Sequence, residues 1–413
     1  MNVVIEIVLA LIGTRLAAEL GLSWLNCRHV RAHADEVPAA FRDIIDPATY
    51  RKSVDYTLAK ARLGNVESIC DAVILALALG SGVLPWAFSL FSRLGSSAWS
   101  MALFLFVIGL ALSLPGWPFD WYAQFRLEQK FGFNQSTPGT WWADRLKGVL
   151  LAVVLGYPLL ILVLKIVEWT GAWWWLWAWG AVLAFQLVMS VLAPVLIMPL
   201  FNKFTPLPAG SLRDRLVELA RRTRFRAGSI QLMDGSRRSA HSNAFFTGFG
   251  RFRKIVLFDT LVRQLEEPEL EAVLAHEIGH FKKKHIPKML AFSAAALLAA
   301  FYLIAVLARQ EWFYRGFGFV PGNAAPALLL FGLLAGTVTF WFSPLLHWWS
   351  RRYEYEADAF AAGVMSGAGG LVGALRKLNE KNLSNLTPHP WYSAFYYSHP
   401  TLLEREEALA QKN

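Results

Sequence analysis

Three residues of one short segment, His276, Glu277 and His280, have the types and the spacing of a hydrolytic zinc site. Residues four apart lie on one face of an α-helix, so the two imidazoles can bind one metal ion from neighbouring turns. Glu277, directly after the first histidine, can accept a proton from a water molecule that the metal activates. The same pattern also arises by chance on solvated helices, so the surrounding sequence has to decide between the two interpretations.

The residues before this segment predict that it lies on a helix. Pro268 stands near the predicted start, acidic residues occupy the first turn, and apolar residues follow at helical spacing. The helix is predicted to continue toward an apolar run that begins near residue 289, with a bend at Pro287.

A catalytic zinc ion normally takes three protein ligands and leaves one position open, so a third ligand is required. His285 does not have the spacing of the longer H-E-x-x-H-x-x-G-x-x-H pattern. Glu354 and Asp358 lie four apart, so Glu354 could complete a His-His-Glu site while Asp358 hydrogen-bonds a liganding histidine. A solvated acidic helix face is the alternative, and spacing alone leaves both open. Glu356 points elsewhere on this predicted helix and is the control residue.

The composition excludes an ordinary soluble enzyme. Hydrophobic residues make up 55% of the chain, charged residues only 17%, and there are 18 tryptophans. Seven apolar runs have about the twenty residues that a transmembrane helix needs, although a short one taken alone could be a buried core helix. These runs are residues 3–25, 69–91, 98–114, 148–167, 173–200, 289–307 and 325–346. The first run contains Glu6 and lacks the basic start of a signal peptide, which indicates a retained span.

The placement of positive charge predicts the orientation. If the N-terminus lies outside, four segments face the cytoplasm and hold all but five of the 40 lysines and arginines. These segments are residues 26–68, 115–147, 201–288 and 347–413. Enrichment of Lys and Arg on the cytoplasmic side is the known orientation signal, so the zinc segment is predicted to face the cytoplasm. The net charge of +10 is then explained by topology and anionic lipid, and no nucleic-acid partner is expected.

A soluble insertion between the fifth and sixth runs has a mixed pattern. Residues 211–226 are predicted to be helical, and residues 229–233, 242–250 and 254–258 are predicted to be strands separated by glycine-rich turns. An exposed edge strand of such a sheet can hold a peptide in extended form through main-chain hydrogen bonds.

These patterns divide the chain into four regions. Residues 1–200 form a membrane region with five spans, and residues 201–288 form the protease insertion. Residues 289–346 supply spans six and seven, and residues 347–413 form a cytoplasmic segment with the third metal ligand. The predicted fold is an all-α polytopic membrane protein with a small α+β domain.

Six sequence blocks carry a family resemblance. In chain order they are YTLAK (56–60), KFGFN (130–134), HSNAFFTG (241–248), HEIGH (276–280), EYEADAF (354–360) and YSHPTLLER (397–405). With these blocks in this order, the chain resembles the type I integral-membrane CAAX prenyl endopeptidases, which are membrane zinc metalloproteases. The match extends from about residue 40 to 407. The Ala-, Leu- and Arg-rich composition indicates a bacterial member of this family. Such a member would be located in the plasma membrane.

The resemblance implies a role for each matching position. His276, His280 and Glu354 would bind one Zn²⁺ per chain, Glu277 would be the general base, and Asp358 would orient a liganding histidine or donate a proton.

Other positions would act on the substrate. Asn243 and Ala244 would lie on the edge strand that pairs with the substrate backbone. His399 would stabilise the oxyanion, with a simple turn before the last helix as the alternative. Arg405 would bind acidic side chains or substrate nearby.

The resemblance also implies the fold and the substrate. Seven transmembrane helices would form a ring around a chamber, capped by a gluzincin-type zinc domain on the cytoplasmic side. The substrate would be a peptide or protein, prenylated at a C-terminal cysteine. Two alternatives are a quality-control protease that needs no prenyl group and a non-catalytic membrane scaffold.

Overall fold

The structure is a computed structural model, and it describes residues 2–225, 228–247 and 254–411. Helices dominate it. The helices of the N-terminal half are α1 Val3–Ala32, α2 Pro47–Gly80, α3 Val83–Ser92, α4 Ala98–Ser113, α5 Gly116–Tyr122, α6 Gln129–Phe131, α7 Pro138–Leu151, α8 Tyr157–Thr170, α9 Trp174–Leu192 and α10 Met198–Phe201. Those of the C-terminal half are α11 Ser211–Arg222, α12 Asp259–Gln264, α13 Glu267–Lys282, α14 His285–Leu307, α15 Glu311–Arg315, α16 Ala324–Thr339, α17 Ser343–Val364, α18 Gly369–Lys381, α19 Pro390–Tyr396 and α20 Leu402–Ala410.

Within the described ranges, five helical stretches are long and apolar enough to cross a membrane. They are Pro47–Gly80, Ala98–Phe131, Pro138–Phe201, His285–Leu307 and Ala324–Val364. The protein is therefore a mostly helical, multi-pass membrane protein.

The predicted count of seven spans depends on two further segments. The 64 residues of Pro138–Phe201 contain two predicted apolar runs, which meet at Gly171, where a positive φ of 54° favours glycine. Helix α1 contains the first predicted run, but it is not among the five stretches, and it carries Glu6, Arg15 and Glu19. Seven spans therefore stay a prediction.

The surface of the helical region is rich in exposed tryptophan. Tryptophans that are more than half exposed include Trp24, Trp86, Trp99, Trp142, Trp169, Trp173 and Trp177. Exposed apolar surface on this scale indicates a membrane-facing protein, and tryptophan is enriched at membrane interfaces.

The insertion between α10 and α13 contains a four-stranded mixed sheet. Its strands are β1 Phe204–Pro206, β2 Ser229–Met233, β3 Ala244–Thr247 and β4 Lys254–Phe258, in the order β1-β2-β4-β3. The central strands β2 and β4 run parallel, and each edge strand pairs antiparallel with its neighbour.

Most of this sheet agrees with the sequence. The predicted strands 229–233 and 254–258 are confirmed, and the helix predicted over 211–226 is present as α11, which ends at Arg222. Residues 248–250 of the third predicted strand lie outside the described residues. Strand β1 was not predicted, because a three-residue strand containing a proline gives no alternating pattern.

The predicted continuous helix with a bend at Pro287 is wrong. Helix α13 ends at Lys282, and Lys284 adopts a left-handed conformation, with φ of 58°. Helix α14 then begins at His285, and Pro287 lies in its first turn, where a missing N–H costs nothing. The helix is therefore interrupted at Lys283 and Lys284 rather than bent at Pro287.

Candidate metal centre

Helices α13 and α17 bring His276, His280 and Glu354 together. The Nε2 atoms of the two histidines are 3.1 Å apart. Glu354 Oε1 lies 3.3 Å from Nε2 of His280, and Oε2 lies 3.5 Å from Nε2 of His276. Ligands about 2.0–2.2 Å from a tetrahedral zinc ion are separated by about 3.3–3.5 Å, so these spacings fit one ion.

The burial of Glu354 provides a second test of fit. The residue is 4% exposed, and its Oε2 has no hydrogen-bond partner within the described parts of the chain. An unpaired buried carboxylate oxygen is costly, and a divalent cation would satisfy it. The three residues therefore fit a metal ion by geometry and by chemistry.

Gly279 explains why the two helices approach so closely here. A Cβ atom on this residue would lie 2.9 Å from Cα of Ala357 on α17, closer than real Cβ contacts allow. Ala357 is itself fully buried. The two small residues of the HEIGH and EYEADAF blocks therefore form the helix crossing that sets the ligands opposite one another.

Glu277 follows His276 in the sequence, and its carboxylate is not engaged by another described side chain. Among the described residues it has no hydrogen bond and no ion pair, and it is half-buried. Burial raises its pKa, although the nearby His276 and His280 act in the opposite direction. A free carboxylate of raised pKa next to a metal site is suited to act as a general base.

Behind His276 lies a buried ion pair. Nδ1 of His276 is 2.7 Å from Oδ1 of Asp358, and Nε of Arg405 donates to Oδ2 of Asp358 at 2.8 Å. Burial alone would lower the pKa of His276, but the neighbouring carboxylates of Asp358 and Glu354 outweigh it and raise the pKa to about 9. Arg405 is 8% exposed and also lines the adjoining cavity, so its predicted contact with substrate stays a prediction.

Behind His280 lies a different group, which the sequence did not reveal. Nδ1 of His280 is 3.0 Å from Nδ1 of His285, whose Nε2 is 3.1 Å from Oε2 of Glu356. His285 is only 1% exposed, and its ring stacks on Tyr353 with centroids 3.9 Å apart. Glu356, the residue chosen as the control, thus contacts His285 rather than one of the three clustered residues.

His399 faces the same site from the turn before α20. Its Nε2 lies 3.5 Å from Oε1 of Glu354, and its Nδ1 is 3.0 Å from Oγ of Ser398. The surrounding protein lowers the pKa of this imidazole by desolvation. The residue thus occupies a turn and also contacts Glu354, and its role toward an oxyanion stays a prediction.

A cavity of about 830 Å³ opens beside His399. Its wall includes Glu19, Tyr56, Lys60, His241, Asn382, His399 and Arg405. The lining comes from α1, α2 and the C-terminal segment, and through His399 and Arg405 the cavity adjoins the candidate metal centre.

Asn243 and Ala244 lie at the start of the edge strand β3. The carbonyl of Asn243 accepts a hydrogen bond from the backbone N–H of Phe258 on β4. The Asn243 side chain accepts from the N–H of Ala244 at 2.8 Å. One edge of β3 is therefore paired with β4, and the opposite edge is the one that could receive an extended peptide.

Three of the sequence blocks meet at His241, a residue that the sequence analysis gave no role. Its two ring nitrogens lie 3.0 Å from Asn382 Oδ1 and 3.3 Å from Glu128 Oε2, and its ring stacks on Phe133. Tyr56 donates to the other oxygen of Glu128 at 2.6 Å. This network ties the loop before β3 to the membrane helices.

A multi-pass helical protein with a buried His-His-Glu cluster, a free glutamate beside it and an edge strand nearby is a membrane metallopeptidase by class. Comparison with known protein families gives the same class. The sequence model described as CAAX prenyl protease N-terminal, five membrane helices, matches residues 26–203, and that of Peptidase family M48 matches residues 206–413.

Individual relatives match over nearly the whole length. The chain is 36% identical to CAAX prenyl protease 1 of Saccharomyces cerevisiae, over 94% of this chain and 91% of the relative. It is 32% identical to the CAAX prenyl protease 1 homolog of Homo sapiens, over 92% of this chain and 90% of the relative. The crystal structure of S. mikatae Ste24p matches with a TM-score of 0.91 at 34% identity, covering 99% of each chain. The chain belongs to the CAAX prenyl protease 1 family, within Peptidase family M48.

The family resemblance found in the sequence is thus confirmed, and so is the activity class, a metalloendopeptidase that acts on peptide or protein substrates. Neither the quality-control protease nor the non-catalytic scaffold is favoured by these relatives.

Proposed function

We propose that the protein is a zinc endopeptidase whose cavity receives the C-terminal part of a membrane-anchored, prenylated substrate. The observation that carries the proposal is the cluster of His276, His280 and Glu354, whose ligand atoms lie within 4.8 Å of one another. Glu277 follows His276 in this cluster, and the 830 Å³ cavity is lined by His399, which lies 3.5 Å from Glu354.

In the proposed reaction, zinc would supply a Lewis acid that activates water and polarises the scissile carbonyl. Glu277 takes the proton from the attacking water and returns it to the leaving amine. His399, kept neutral by its lowered pKa, donates a hydrogen bond toward the developing oxyanion. Asp358 holds His276 in the tautomer whose Nε2 faces the metal position.

The edge strand positions the peptide. An extended substrate would pair with the open side of β3 at Asn243 and Ala244, and its main-chain carbonyl would replace the Asn243 side chain at the Ala244 N–H. Backbone pairing of this kind is independent of side-chain identity, so the cavity would supply the selectivity.

For the topology we propose seven transmembrane helices around the cavity, with the N-terminus outside and a gluzincin-type zinc domain facing the cytoplasm. Support comes from the five apolar stretches, from α1, and from the second helix of Pro138–Phe201. The proposed regions remain 1–200, 201–288, 289–346 and 347–413. The excess of Lys and Arg in the four cytoplasmic segments sets the orientation. In a bacterial cell the membrane would be the plasma membrane.

A prenyl group on the substrate is proposed because the relatives are named CAAX prenyl proteases and because the cavity adjoins membrane helices. The experiment compares a fluorogenic farnesylated peptide with its unmodified counterpart, using the purified protein with and without a chelator. We expect chelator-sensitive cleavage of the farnesylated peptide. Equal cleavage of both peptides would indicate the prenyl-independent protease instead.

The Glu277→Gln variant tests the general base. It should keep its metal, because Gln leaves all three ligands in place, and it should lose activity by about 10²–10⁴-fold. Wild-type turnover in this variant would overturn the mechanism, and metal analysis beside the wild type is the control for folding and loading.

A further inference from the structure

His285 is a buried titratable group outside the proposed ligand set, and it lies directly behind one of the ligands. We propose that His285 and Glu356 form a relay that positions His280 for metal binding, so that both are positioning residues of the metal centre. The inference rests on the proposed role of His280 as a ligand.

The hydrogen-bonding pattern gives the relay a direction. Nε2 of His280 faces His276 and Glu354, so this nitrogen must be free of a proton when a metal binds. Nδ1 of His280 then carries the proton and donates to Nδ1 of His285, 3.0 Å away. The second nitrogen of His285, Nε2, carries a proton in turn and donates to Glu356 Oε2 at 3.1 Å.

Each imidazole nitrogen in this arrangement has one partner of the correct kind. A neutral imidazole has one donor and one acceptor nitrogen, and the carboxylate at the end accepts only. The chain therefore fixes one tautomer at His280, the tautomer that presents an unprotonated Nε2 to the ion. A carboxylate or carbonyl behind a metal-bound histidine commonly has this effect, and here a second imidazole extends it.

The ring of His285 is also held sterically. It is 1% exposed and stacks on Tyr353 at 3.9 Å with an interplanar angle of 10°. It is the first residue of α14, and the left-handed conformation of Lys284 separates that helix from α13. The relay thus joins the ligand helix α13 to α14, a candidate span, and to α17, which carries Glu354.

Core packing alone is the competing explanation, and it makes a different prediction. Packing would be sensitive to the shape of His285 but insensitive to the charge of Glu356. Glu356→Gln keeps the shape, and the side chain is 40% exposed, so the fold should tolerate the change. This variant remains informative if His285→Gln fails to fold.

The test measures the affinity of the purified full-length protein for Co²⁺ and Zn²⁺ by competition with a chelator. We expect Glu356→Gln and His285→Gln each to weaken affinity by about 10–100-fold, the range for loss of a group that hydrogen-bonds a liganding histidine. The visible spectrum of the Co²⁺ form should change as well, because it reports ligand geometry.

Glu168→Gln is the matched control. Glu168 is 41% exposed and pairs with Lys165, so the change removes one ion pair of similar exposure on α8. It should leave metal affinity and the Co²⁺ spectrum as in the wild type. Thermal unfolding of the metal-free proteins completes the comparison, and the relay predicts similar midpoints for Glu356→Gln and Glu168→Gln.

The possible outcomes distinguish the proposed relay from the proposed metal site. Wild-type affinity and an unchanged Co²⁺ spectrum in Glu356→Gln would overturn the relay while leaving the metal site intact. A wild-type protein that binds neither ion would overturn the proposed metal site itself.

Discussion

Each of the two histidines of the HEIGH segment is hydrogen-bonded through Nδ1 to a different group, which we call its support. Asp358 with Arg405 is the support of His276, and His285 with Glu356 is the support of His280. Asp358 and Arg405 behind His276 are 2% and 8% exposed, so a full ion pair is enclosed in protein. His285 behind His280 is equally buried, but its own partner Glu356 is 40% exposed. One support ends in a buried charge pair, and the other passes through a neutral ring to the surface.

This difference predicts unequal consequences when a support is broken. A charge left alone in the interior is costly because no water can replace its partner. A charge removed near the surface leaves a position that water can fill at little cost. Damage at Asp358 should therefore reach both metal binding and folding, whereas damage at Glu356 should be confined to metal binding.

Removal of a ligand should have the largest effect. We expect Glu354→Ala to lose bound zinc, because two histidines alone do not complete a catalytic site. Glu356→Ala should still fill with zinc at saturating concentration, although with weaker affinity. Metal analysis after gel filtration measures both variants. Equal zinc content of the two variants at saturating zinc would contradict the assignment of Glu354 as the ligand.

Asp358→Asn is expected to have the next largest effect. It should weaken zinc binding by about 10–100-fold and cost about 3–5 kcal/mol of stability, since Arg405 would keep its charge without a partner. Chelator competition and thermal unfolding measure the two parts. The contrast between the two supports would fail if Glu356→Gln destabilised the protein as much as Asp358→Asn does.

The members of the candidate metal cluster were predictable in part, because local spacing sets the geometry within each pair, whereas the match to the family blocks singled out Glu354. His276 and His280, and likewise Glu354 and Asp358, are each four apart on one helix, and that spacing alone places each pair on one face. The relay was not predictable in this way. His285 and Glu356 are 71 residues apart, and only the packing of α14 against α17 brings them together.

Prediction of the fold from the sequence has the same limit, because only local patterns can be recognised. Hydropathy located the apolar runs and alternation located β2 and β4, because both patterns are local. The break at Lys283 and Lys284 was missed because lysine carries no strong helix-ending signal, whereas proline does. The charges of α1 make its hydropathy ambiguous, so the number of spans follows from packing and membrane context rather than from composition.

Gly279→Ala tests the helix crossing that the two supports share. The added methyl group would meet backbone atoms of Ala357, which cannot rotate away, so the helices must separate. We expect a loss of about 1–3 kcal/mol in stability, as for other overpacked cores, together with weaker zinc binding. Gly363→Ala on α17 is the control, because a Cβ there meets nothing within 4 Å. Equal unfolding midpoints for the two variants would show that the close approach is not required.

A pH dependence, which needs no change of fold, should also distinguish the two supports. The pKa of His276 in the metal-free protein is raised to about 9, so a proton competes with the metal below that pH. Zinc affinity should therefore rise by about tenfold per pH unit from pH 7 and level off near pH 9. The same proton stabilises the metal-free fold, fully below pH 6.5 and progressively less as the pH rises through 9.

The variants make this profile diagnostic. Asp358→Asn removes a hydrogen bond that raises the pKa of His276, so its affinity should level off at a lower pH. Glu356→Gln leaves the surroundings of His276 unchanged, so its profile should keep the wild-type shape at lower affinity. Chelator competition across this pH range measures both curves. If both variants shifted the plateau equally, the two histidines would titrate as one unit and the supports would not be independent.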